Sequence, residues 1–260
     1  MEVIKKYGNP PYSVVLIHGG PGACGEMRPV GQKLSECFGV LEPMNRALTI
    51  EGQIKELLVS IKAYADKKPI LVGFSWGAWL GIIVAASYPE LVSKLILIGC
   101  APLKQHYAKA IYETRISRMN VRLRNEFMKL LTGIEGNTIS DRNAAFERLS
   151  KILILSDGYD PVPENDSGIE LDPDVFTNIW KEATGLRKSG GLLRYINKIR
   201  CPVVAIHGDY DPHPVEGVCV PFQDSHNYFQ LEMLKNCGHK PWIEKRAVED
   251  FYRILNKHLN

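Results

Sequence analysis

A serine, a histidine and a carboxylate suffice for acyl transfer when they meet, and the chain holds a candidate for each. Ser75 stands at the centre of Gly73-Phe74-Ser75-Trp76-Gly77, His239 follows Gly238, and Asp209 and Asp211 share the stretch Gly208-Asp209-Tyr210-Asp211. A serine hydroxyl is a weak nucleophile until an imidazole takes its proton, and the imidazole needs a carboxylate on its other nitrogen. His18-Gly19-Gly20-Pro21-Gly22 adds a glycine-rich loop whose backbone can approach a ligand closely. The amides of Gly20 and Trp76 would then converge on one substrate oxygen as an oxyanion hole. Each stretch also has a plainer reading. Ser75 could cap an ordinary helix, the glycines could make a tight turn, the aspartates could bond their own turn, and His239 could be a packing residue. By composition Asp209 and Asp211 fit the turn equally well.

The elements around these residues decide between the readings. Ile70 to Val72 reads as a strand buried on both faces, and the apolar, alanine-rich run beyond Ser75 reads as a buried helix, so Ser75 sits on a strand-to-helix turn. Tyr12 to Ile17 predicts a strand running into His18. A helix is expected over Glu26–Cys37, a strand near Gly39–Glu42, and a helix from Ile50 to about Ala65 with Ile54, Leu57, Leu58 and Ile61 on one face. Thr49 opens that helix without a full capping box. Further strands are predicted at Ser93–Gly99, Val203–Ile206 and Tyr228–Leu234, with a closing helix from about Ile243 to Leu259. Each candidate residue thus follows a strand. Between the strands at 93–99 and 203–206 the character changes. Lys104–Leu131 and Asp141–Leu155 predict amphipathic helices, Asp157–Pro173 a loop, and Asp174–Thr184 and Gly190–Ile199 further helices. The expected division is a core of residues 1–100 and 201–260 with a helical cap of 101–200 over the catalytic edge.

Composition narrows the partners. The chain has 260 residues, 45% hydrophobic and 23% charged, with a net charge of +3 and no basic block, so nucleic acid is not the expected partner. Met1–Lys6 shows no apolar signal core, and no run approaches the ~20 apolar residues of a membrane span. Six cysteines form no Cys-x-x-Cys pair, which points to a reducing cytoplasm and away from a zinc or disulfide framework. Cys24 and Cys237 lie near the candidate site in sequence and are expected to be reactive if their surroundings favour the thiolate. No metal or organic cofactor is required by this chemistry.

The four stretches, in this order and each at a strand end, resemble the α/β-hydrolase superfamily, whose chain order is nucleophile, acid, histidine. The resemblance covers Tyr12 to about Cys100 and Cys201 to Leu259. It implies a mostly parallel sheet flanked by helices, an inserted helical cap, and a Ser75, His239, Asp211 triad, and it alone favours Asp211 over Asp209. His-Gly-Gly-Pro-Gly and Gly-x-Ser-Trp-Gly are further similar to the proline iminopeptidases, which implies cleavage of an N-terminal residue from a short peptide with cap acids holding the free amine. The segment Asp-Gln-Arg-Gly-x-Gly-x-Ser of that group is replaced here by the shorter Phe38–Arg46, and the cap acids, Glu113 and Glu147 among them, align to no amine-binding set. The alternatives are a carboxylesterase or thioesterase on a small acyl compound, with Trp76 and Trp79 lining an acyl pocket or packing in the core, and a protein that keeps the fold for binding alone.

Overall fold

The apolar runs at 14–17, 70–74, 94–98 and 203–208 lie side by side as parallel strands, and their carboxyl ends finish level along one edge. The computed structural model describes residues 3–163, 168–225 and 228–260. The chain begins with β1 (Ile4–Tyr7), β2 (Tyr12–Ile17), a short β3 (Ala23–Cys24), α1 (Arg28–Leu34), β4 (Gly39–Pro43), α2 (Ile50–Tyr64), β5 (Ile70–Phe74), α3 (Trp76–Ser87) and β6 (Lys94–Ile98). The middle of the chain holds α4 (Ala108–Arg118), α5 (Val121–Glu135), α6 (Arg142–Asp157), a short β7 (Glu170–Leu171), α7 (Pro173–Lys188) and α8 (Gly191–Ile196). It closes with β8 (Val203–Gly208), α9 (Glu216–Ser225), β9 (Phe229–Leu234) and α10 (Val248–Leu259).

The main sheet has seven strands in the order β1-β4-β2-β5-β6-β8-β9. Among the described residues of this sheet only β1 runs antiparallel to its neighbour. Alternate residues of each strand serve opposite layers. Val15, Ile17, Leu71, Leu95 and Leu97 pack with α2 and α3, while Val14, Leu16, Val72, Ile96 and Ile98 pack with α1 and α10. α3 is apolar all round because its residues 76–86 are all buried, as a helix enclosed on every side must be. Among the described residues no helix is long and apolar enough to cross a membrane.

The span 101–200, expected as a single helical cap, holds two kinds of helix. α4, α5 and α6 enclose a small core of their own around Met119, Phe127, Ile134, Phe146, Leu149 and Ile152. α7 and α8 instead place Val175, Ile179, Ala183, Leu192 and Ile196 in the same cluster as α3. The helix predicted over Lys104–Leu131 breaks at Met119 and Asn120, where the Asn120 side chain accepts the Leu123 amide (2.9 Å) and opens α5. Thr49 does cap α2, accepting the Gly52 amide at 3.1 Å. β1, β7 and α9 were not anticipated. β1 is a four-residue edge strand with two adjacent lysines, β7 is a two-residue pair with β3 inside an expected loop, and α9 carries Pro221 within it. The closing helix begins later than expected, at Val248, after a single 3₁₀ turn over Pro241–Ile243.

Candidate active site

β5 ends at Phe74 and α3 begins at Trp76, so the chain reverses over one residue. Ser75 makes that reversal with φ 52° and ψ −111°, a conformation that costs an L-residue about 1–3 kcal/mol and persists only where the surroundings impose it. Its amide donates to the Ile98 carbonyl of β6 at 2.9 Å. The flanking glycines are required by contact: a Cβ at Gly77 would stand 2.0 Å from the Ile17 carbonyl oxygen, and one at Gly73 would stand 2.3 Å from that of Gly77. The Ser75 hydroxyl caps no amide of α3, so the reading as an ordinary helix cap does not hold.

Beyond β8 the turn places Asp211 under His239. His239 Nδ1 donates to Asp211 Oδ2 at 2.8 Å, and the other oxygen, Oδ1, accepts both the amide (2.9 Å) and Nδ1 (2.7 Å) of His213. His207 Nε2 lies 3.6 Å from Oδ2 and donates to the His213 carbonyl at 2.8 Å. Burial opposes the charge of Asp211, yet His239, His213 and His207 outweigh it and hold the carboxyl well below the usual range. Burial also pushes His213 down to about 4 against the pull of Asp211, so its ring is neutral at neutral pH. Asp209 points elsewhere, accepting the Cys237 amide at 3.3 Å and lying 3.6 Å from Lys235 Nζ. The His239 ring lies between Phe74 and His213, with centroids 4.8 and 4.4 Å away. Its loop is fixed by Glu244, which is fully buried and accepts the amides of Gly238, Tyr159 and Asp160, each at 2.8 Å.

The glycine-rich loop turns at Gly20 with φ 98°. Glu26 braces it, accepting the Gly19 amide at 3.1 Å and pairing with Lys240 Nζ at 2.7 Å, which joins this loop to that of His239. Trp76 opens α3, so its amide has no partner within the helix, and its indole donates to Gln53 Oε1 at 2.9 Å. Gly20, Phe74, Ser75 and His239 line one wall of a cavity of about 780 Å³, and α4, α6 and the start of α7 line the other with Arg115, Phe146, Glu147, Ser150, Ile154 and Phe176. The second wall is tied to the glycine loop. β7 pairs with β3, Asp172 donates its amide to the Gly22 carbonyl (2.8 Å), and Glu170 pairs with Arg46. As metal ligands, Asp211, His213 and His239 offer one donor atom each within 4.8 Å of one another. Both Nδ1 atoms, however, are already directed at the carboxylate.

No family model matches the chain. A proline iminopeptidase of Lactobacillus crispatus is 22% identical over 95% of this chain and 89% of its own length. Among solved structures, that of VinJ superposes with a TM-score of 0.72 at 19% identity, covering 98% of this chain and 93% of the other. A Paleococcus ferrophilus monoacylglycerol lipase covers 100% and 98% with a TM-score of 0.63 and 18% identity. The chain has the α/β-hydrolase fold.

Within this fold several residues whose surroundings the sequence left open take definite places. Cys24 and Cys237 are buried. Burial drives both thiols up, Cys24 to about 12, so neither is a ready thiolate. Trp76 and Trp79 pack in the core, the Trp79 indole donating to the Ala101 carbonyl at 2.8 Å. Glu147 faces the cavity, whereas Glu113 pairs with Lys109 on the outer surface of α4. His213 was missed. Its place beside Asp211, inside Asp-Pro-His-Pro, was the available signal, but a histidine two residues beyond an acid has many possible directions.

Proposed function

We propose that this protein is a serine hydrolase that cleaves an ester or amide bond of a small-molecule or short-peptide substrate through an acyl-enzyme. The observation that carries the reading is the 2.8 Å pair of Asp211 and His239 on the cavity that also holds the strained Ser75. His239 would take the hydroxyl proton as Ser75 Oγ attacks the carbonyl carbon, while Asp211 holds the imidazole tautomer and stabilises the imidazolium. The amides of Gly20 and Trp76 would receive the developing oxyanion. His239 would then protonate the leaving group, and water would clear the acyl group by the same route. A protein that only binds a ligand gains nothing from a serine held at positive φ. The helices α4–α6 act in this reading as the lid, and the six free cysteines fit a reducing cytoplasm.

Of the two substrate kinds we favour the ester. An aminopeptidase needs an acid for the free amine, and among the described residues the acids on this cavity are each engaged. Glu26 holds Gly19 and Lys240, Asp157 holds Arg115, Glu244 holds three amides, Asp141 caps α6, and Glu147 pairs with Lys151. Phe146, Ile154, Leu171 and Phe176 give an apolar acyl group a place to lie. The aminopeptidase reading keeps one support, the similarity to the Lactobacillus crispatus enzyme over 95% of the chain. Rates on a short-chain aryl ester and a prolyl anilide, for wild type and Ser75→Ala, separate the readings. The expected result is faster release from the ester, lost by roughly a thousandfold or more in Ser75→Ala. Faster Ser75-dependent release from the anilide would favour the aminopeptidase, and full turnover by Ser75→Ala would end the covalent mechanism.

A further inference from the structure

The Asp211 carboxylate is held from both sides, and the chemistry proposed above uses only one of them. We propose that His213 is a positioning residue that locks the Asp211 carboxylate through Nδ1 and thereby sets the orientation and proton affinity of His239. This rests on the serine-hydrolase reading. A carboxylate turns easily about its last side-chain bond, where the torsion is broad, so a single partner on Oδ2 leaves its plane poorly fixed. His213 closes the other side with two donors at 2.9 and 2.7 Å on Oδ1. Any residue at 213 supplies the first, which is a backbone amide. The second requires a side-chain donor at the Nδ1 position.

Three further observations support a positioning role. The His213 side chain is only 7% exposed and does not line the cavity, so it acts through Asp211 and not on substrate. Its backbone is pinned by His207, which donates to the His213 carbonyl at 2.8 Å. With its pKa down at about 4, it stays a neutral donor that orients the carboxylate without competing, as a cation would, for the charge that must answer the His239 imidazolium. The other titratable groups facing this cluster are Asp157 from α6, Arg115 from α4, His207 from β8, and the buried thiols of Cys100 and Cys237. Losing the Nδ1 donor leaves more negative charge to attract a proton on His239, so the acid limb of activity moves to higher pH.

The test is the rate of labelling by an alkyl fluorophosphonate across pH, since this probe reports the activated serine whatever the natural substrate. Ser75 Oγ forms the bond to phosphorus, fluoride leaves, and the hydroxyl proton passes to His239. Wild type should label and Ser75→Ala should not; absence of Ser75-dependent labelling in wild type would overturn the hydrolase reading itself. Given labelling, His213→Ala should slow it about 10- to 100-fold, the worth of a hydrogen bond to a charged group, with the acid limb shifted upward. His213→Asn, whose amide nitrogen takes the place of Nδ1, should stay within about threefold of wild type. His213→Gln fills the space but carries its donor one bond too far, and should behave as alanine does. Labelling of His213→Ala at the wild-type rate and pH profile would overturn the proposal. If His213→Ala does not fold, equal rates for the Asn and Gln variants would do so.

Discussion

On the core wall of the cavity Ser75, Gly20 and His239 each leave the end of a different strand, whereas on the facing wall Phe146, Glu147, Ser150 and Ile154 come from successive turns of one helix, α6. The first wall is fixed by backbone: the positive φ of Ser75, the glycines that let α3 approach β2, and the amides that Glu244 gathers beneath His239. The second is fixed by side chains on a small separate core, and its polar groups pair mainly among themselves. On the proposed mechanism, changes on the core wall should therefore remove chemistry, and changes on the facing wall should alter stability and substrate preference.

The largest effect expected lies within the Asp209 and Asp211 turn. Asp211→Asn keeps the shape but offers His239 the wrong partner, and turnover should fall by about 10⁴-fold. Asp209→Asn, whose carboxylate serves Cys237 and Lys235, should stay within about threefold. Steady-state rates on the aryl ester decide. Comparable losses in the two variants would mean that the geometry around Asp211 does not govern catalysis.

A smaller effect tests the stability of the wall that α4 and α6 form. Arg115 on α4 makes a bidentate pair with Asp157 at the end of α6, whose backbone carbonyl also accepts the His239 amide at 3.0 Å. Arg115→Met would strand a buried carboxylate, at a cost of about 3–5 kcal/mol read as a lower urea midpoint. The pH dependence should also reverse. In wild type burial raises the Asp157 pKa, but Arg115 outweighs burial and holds it below the ordinary value. Its stabilisation is therefore complete above the unfolded pKa of about 3.9 and lost only as pH falls through the lower folded value. Without Arg115 burial is opposed only by the weaker pulls of His239 and His213 and lifts the folded pKa, so the variant should lose stability as pH rises from about 4 towards neutrality. Parallel curves for the two proteins would mean that Asp157 is not a buried charge.

The same division explains what could be read from the sequence. Gly73, Gly77 and the strands at 14–17, 70–74 and 94–98 were legible because steric contact and burial on both faces leave little choice of residue. Asp211 was less so. Two aspartates separated by one tyrosine have the same turn chemistry, and only the path of the folded chain sends one towards His239 and the other towards Lys235. His213 had only its place two residues beyond Asp211 to mark it, and its role comes from a contact with a residue whose own role was open. Between β6 and β8, the break at Asn120 came from a single capping side chain, and the pairing of β7 with β3 involves two residues per strand, too few for periodicity. The division between α4–α6 and α7–α8 depends on which apolar face meets which core, and helical spacing alone does not say.

The smallest effect is expected at Glu147, the one cap acid named from the sequence that does face the cavity. It pairs with Lys151 four residues on, with both side chains about half exposed. Such a pair contributes about 0.3–0.5 kcal/mol, so Glu147→Gln should leave the urea midpoint nearly unchanged. Its effect on activity discriminates more sharply. If the lid wall receives an acyl group, the kcat/KM of Glu147→Gln on the aryl ester should stay within about twofold of wild type. If instead Glu147 exchanges Lys151 for a substrate amine, removing its charge should cost about tenfold or more on the prolyl anilide and little on the ester, the size expected when a charged hydrogen-bond partner is lost. That second outcome would turn the lid from an apolar cover into an amine-recognition surface and move the proposed function to the aminopeptidase.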